Sequence, residues 1–91
     1  MNKERRKNLD EAMTLLNDAQ EKIEEANSII ETARDEEEEC FDNLPEGVQE
    51  SERGETMEEN ISELDDVVSE LEDVLQTLEE QVNAVQDVVN K

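Results

Sequence analysis

The sequence contains no histidine, tyrosine or tryptophan, and Phe41 is its single aromatic residue. Histidine is the side chain best suited to proton transfer near neutral pH, so its absence removes the commonest general acid and base. Cys40 is the single cysteine. A thiol without histidine lacks its usual activating partner. A thiol without a second cysteine cannot staple the chain, and a reducing, cytoplasmic setting fits. Zinc would need several Cys or His ligands. The acidic run Asp35–Glu39 could suggest a cation site, but consecutive helix residues do not face one another and cannot converge on one ion. No calcium-loop spacing around a central glycine occurs. No cofactor, no metal and no catalytic residues are therefore expected, and the chain reads as a non-enzyme.

Long apolar runs are missing too. None reaches the roughly 18 residues of a membrane span. The basic start, Lys3 to Lys7, leads into Asn8-Leu9-Asp10-Glu11 and not into an apolar stretch, which argues against a signal peptide. Hydrophobic residues make up 33% of the 91 residues and charged residues 41%, which excludes a thick globular core. Two outcomes remain: disorder, or a narrow seam between helices.

The spacing of the apolar residues favours the seam. Leu9, Leu16, Ile23 and Ile30 recur every seven residues, and Ala12, Ala19, Ala26 and Ala33 do so three places later. Taken as heptad positions a and d, these predict a helix over about 3–42. In the second half Ile61, Val68, Leu75, Val82 and Val89 occupy a, and Met57, Leu64, Leu71, Leu78 and Val85 occupy d. They predict a second helix over about 52–90. The turn falls between, at about 43–51. It contains Pro45, which disfavours helix at Leu44, and Gly47; Gly54 is the only other glycine. Ser51 is a suitable N-cap, with Glu52 and Glu55 favourable in the first turn.

Antiparallel partners share a constant sum of residue numbers. Leu9 with Val85, Leu16 with Leu78, Ile30 with Leu64 and Ala33 with Ile61 all total 94, twice the number of Gly47. The same register sets alanine against Val, Leu or Ile, and places Cys40 on the seam opposite Gly54. The expected fold is all-α: one antiparallel two-helix coiled-coil hairpin spanning 1–91. A second stripe, Met13, Leu15, Ile29, Val67, Val74 and Val88, would lie outside a two-helix seam. Such a stripe predicts association, as a homodimer forming a four-helix bundle or with a partner helix.

The charge is lopsided. The net value is −21, although residues 1–7 carry +3. Between Asp35 and Asp66 fifteen acidic residues meet one base, Arg53. At 1.5 Å per residue the first helix would be roughly 58 Å long, giving about one net charge per 2.4 Å. Duplex DNA carries one per roughly 1.7 Å. This body would be repelled by nucleic acid and by anionic membranes, so neither is an expected partner. A basic protein surface is. The expected contact is the acidic tip: Asp35, Glu36, Glu38, Glu39, Glu58, Glu59, Asp65 and Asp66.

The stretch 42–72 resembles small acidic helical proteins encoded by bacteriophages and prophages. The features shared are Asn43-Leu44-Pro45 after an acidic helix end, Ser51-Glu52-Arg53-Gly54-Glu55, and Met57 opening a Glu-rich heptad helix. The composition is also similar to phage-encoded DNA mimics and anti-defence inhibitors. This similarity of composition implies an inhibitor acting in the host cytoplasm, occupying the nucleic-acid channel of a host defence or nucleic-acid-binding protein. The alternative is a structural or assembly coiled coil whose apolar stripe selects a partner helix or a second copy. An acidic chaperone for a basic protein is a third reading.

Overall fold

The computed structural model describes all 91 residues. The chain is all-helical: α1 (Lys3–Asp42), α2 (Glu46–Gln49) and α3 (Glu52–Val89). No residue has positive φ and every peptide bond is trans. Asn2 caps α1, accepting a 2.8 Å hydrogen bond from the Arg5 amide, a cap the heptad count alone does not reveal. Two compact units form. One comprises Met1–Glu25 with Glu72–Lys91; the other is Ala26–Leu71.

The second unit is a closed helical hairpin. Asn27 Nδ2 donates to the Val68 carbonyl across it at 3.4 Å, and Arg34 Nη1 reaches Asp65 at 2.7 Å. At the tip α1 ends at Asp42, and Pro45 (φ −57°, ψ 147°) precedes the single turn of α2. The Gln49 side-chain Nε2 donates to the Phe41 carbonyl at 2.9 Å, which also accepts from the Leu44 amide at the end of α1. Ser51 opens α3, its hydroxyl lying 3.5 Å from the Gly54 amide and bonded to the Val48 carbonyl. Gly47 lies inside α2 with open space where a Cβ would be, so it is not a required pivot. Gly54 is the constrained glycine. It is buried, and a Cβ there would stand 2.0 Å from the Gln49 carbonyl oxygen.

The seam of α3 follows its heptad: Met57 and Val68 are buried, and Ile61, Leu64, Leu71, Leu75, Leu78, Val82, Val85 and Val89 are half-buried. The seam of α1 does not follow the alanines. Ala26 and Ala33 are exposed, and Ala12 and Ala19 are only half-buried. The line four residues beyond each a position is turned inward instead: Met13, Gln20, Asn27, Arg34 and Phe41 are all buried or half-buried. Met13 is 7% exposed and is therefore a seam residue, not a member of the free stripe. The physical reason is area. Burying a large side chain such as Met or Phe contributes about 1.5–3 kcal/mol, and alanine has little to bury. The same rotation brings Phe41 inward and leaves Cys40 exposed, not buried opposite Gly54.

Candidate functional site

Within each unit the rotation of α1 leaves two unlike flanks. On a helix each residue advances 100°, so the residues on either side of a seam can be assigned by count. One flank of the α1 seam carries Asp10, Glu24, Glu31 and Glu38; the matching flank of α3 carries Glu58, Asp65, Glu72 and Glu79. The opposite flank of α1 carries Ala12, Ala19, Ala26 and Ala33, with Leu15 and Ile29 beyond them. On α3 it carries Val67, Val74 and Val88.

In the unit Ala26–Leu71 these flanks frame separate grooves. The acidic groove is lined by Arg34, Glu38, Phe41, Asp42, Glu58, Ile61, Ser62 and Asp65. A second groove is lined by Glu37, Asn60, Glu63, Leu64 and Val67. Of the expected tip residues, Glu38, Glu58 and Asp65 meet in the acidic groove. Glu36 lies elsewhere, beside Ile29 and Ala33. Glu39, Glu59 and Asp66 are exposed and line neither groove.

Arg34 is the cation of the acidic groove, and its side chain is only 18% exposed. It holds Asp65 at 2.7 Å and Asp35 at 3.1 Å, and lies 3.6 Å from Glu31. The hydrogen bond from Arg34 to Asp35 raises the guanidinium pKa above its ordinary value; burial opposes this, and Asp65 adds to the rise. Arg34 thus neutralises part of the acid field and fixes where the remainder points. The count of alanines hid its role. A polar residue every seven, Gln20-Asn27-Arg34, was the available signal.

Asn27, 7% exposed, has its Oδ1 buried without a hydrogen-bond partner. No group of three or more His, Cys, Asp or Glu side chains is arranged to hold a metal ion. No helix is long and apolar enough to cross a membrane.

On the apolar side the large side chains remain open: Leu15 is 62% exposed, Ile29 65%, Val67 41%, Val74 43% and Val88 40%. In the unit Met1–Glu25 with Glu72–Lys91 the helical positions of this side hold no carboxylate, whereas Arg5 and Lys22 belong to it. In the other unit it holds Glu36, Glu63 and Glu70 together with Arg53. The charges of α1 also oppose its dipole. Lys3, Arg5, Arg6 and Lys7 crowd its N-terminal end, and no base occupies its last turn, which follows Asp35–Glu39.

No protein-family model matches the chain, and neither a curated protein nor a solved structure does.

Proposed function

We propose that this chain is a non-enzymatic, acidic inhibitor of the phage type, which docks its carboxylate side on a basic surface of a host protein and keeps nucleic acid from it. The observation that carries this reading is the acidic groove at the tip. Glu38, Asp42, Glu58 and Asp65 are gathered there, and its one cation is already engaged within the chain. Carboxylates held on a helical scaffold can stand in for the phosphates that Lys and Arg recognise. The similarity of the chain's composition to phage-encoded DNA mimics and anti-defence inhibitors supports a host-encoded target, a defence or nucleic-acid-binding protein. In the same reading the apolar side is covered by a second copy, giving a four-helix bundle with the acids outward.

The test is competition. The tagged protein is used to capture its target from bacterial lysate at low salt, and duplex DNA is then added. Displacement by DNA and loss of capture on charge reversal of Glu38, Asp42 and Glu58 are expected. Capture that survives both would sink the mimicry reading.

A second reading, an assembly coiled coil, draws on the exposure of Leu15 and Ile29. It expects a salt-tolerant interaction lost on changing Leu15, Ile29, Val67 and Val74 to Ser, with the acid reversals silent.

A further inference from the structure

We infer that the acidic groove of the unit Ala26–Leu71 takes an arginine side chain of the bound protein, its guanidinium laid on Phe41 and its charge met by Glu38, Asp42 and Glu58. The inference rests on the reading that this groove docks on a basic surface, and it names the side chain that enters.

The first argument is the floor. Phe41 and Ile61 line the groove together with the carboxylates. Both are half-buried, whereas Glu38, Asp42 and Glu58 are exposed, so the acids form a rim above an apolar floor. Phe41 is also positioned before anything binds. Its backbone carbonyl accepts from Gln49 Nε2 at 2.9 Å and from the Leu44 amide at 3.1 Å. An apolar floor penalises a strongly hydrated cation such as a lysine ammonium. A guanidinium is planar, more weakly hydrated, and stacks on aromatic faces. The groove's volume of about 540 Å³ suits single side chains, not a whole helix about 10–12 Å across.

The second argument is charge. Glu38, Asp42 and Glu58 make no ion pair within the chain, while Asp65 holds Arg34 at 2.7 Å. The groove therefore keeps an excess of negative charge, four carboxylates against one guanidinium. No three of the acids converge on one ion, so a bare divalent cation would not find its ligands there. Carboxylates spread around a rim suit the five donors that a guanidinium spreads over its plane. The contact of Arg34 with Asp65 is the same pairing, made within the chain.

The test uses the full chain and two probe peptides of equal charge, hexa-arginine and hexa-lysine. Phe41 supplies the only aromatic ring of the protein, so its ring signals in carbon-correlated NMR watch the floor alone. Hexa-arginine should shift those signals, give nuclear Overhauser contacts from its δ-methylenes to the ring, and bind at least about threefold more tightly than hexa-lysine. Phe41→Leu should bring the two peptides within about twofold of each other by weakening hexa-arginine. Glu38→Gln, Asp42→Asn and Glu58→Gln together should weaken hexa-arginine by at least about tenfold, and the same charge change at Glu79, Glu80 and Asp87 should not. Ring signals that stay put while hexa-arginine binds would overturn the inference, as would equal affinities for the two peptides. Either result leaves docking on a basic surface standing; failure of both peptides to bind at low salt sinks that reading as well. The ring signals are read in the unaltered chain, so a misfolded variant cannot decide the outcome.

Discussion

Arg34 and Asp65 join α1 to α3 through a 2.7 Å contact from Nη1 to Oδ1, with the same guanidinium bonded to Asp35. One cation therefore serves acids on both helices, on a segment where carboxylates otherwise repel. Replacing Arg34 with Met keeps the length of the stem but leaves Glu31, Asp35 and Asp65 unopposed. The expected result is a lower Tm, with a larger drop at low salt than at high salt. A double-mutant cycle with Asp65→Asn should show the two losses to be less than additive. Additive losses would mean that the pair is not coupled.

Asn27 is the converse case. Its Oδ1 is buried without a partner, and its one hydrogen bond, at 3.4 Å, is long. A buried, half-satisfied amide is costly, so Asn27→Leu should stabilise the chain by about 1–2 kcal/mol in urea unfolding. A single polar residue at such a seam position can also fix register and oligomer state. The Leu variant should therefore show a broader distribution of species by sedimentation velocity. A net loss of stability would mean that the amide is satisfied by water or by a second chain.

The two glycines should separate cleanly. Gly54→Ala drives a methyl group into the Gln49 carbonyl, and overpacking of this kind costs about 1–3 kcal/mol. Gly47→Ala has open space and an ordinary helical setting. It should be neutral or stabilising by about 0.4–1 kcal/mol. Thermal melts of the two variants decide this, and equal effects would contradict the tight approach at residue 54.

The charge density sets a salt response. With a net charge of −21, like charges on adjacent turns repel. Raising ionic strength from about 0.01 M to 1 M shortens the Debye length from roughly 30 Å to 3 Å. The Tm followed by circular dichroism should rise across that range. A falling Tm would mean that ion pairs, not repulsion, dominate the folded state.

The helical character was legible in both halves of the sequence, because seven-residue spacing constrains the local conformation strongly. In α3 the seam was legible as well, since its apolar residues are large and occupy one line. In α1 two lines competed. The alanines matched the template by number, and Met13 and Phe41 outweighed them by area, carrying Gln20, Asn27 and Arg34 inward with them. Counting apolar letters without weighting their size misplaced Met13 and Cys40. It also concealed the separation of the acidic flank from the apolar one. No binding partner was legible, because carboxylates on a helix can be met by any cation.

The pinch between Gln49 and Gly54 has a consequence for sequence change. It acts as a caliper, fixing the rotational phase at which α3 leaves the tip. One residue inserted between them would turn the helix by about 100°, bringing Glu63 and Glu70 toward α1 where Leu64 and Leu71 now stand. A lengthened relative would have to shift its downstream pattern by the same step, so tip length and heptad phase should vary together or not at all.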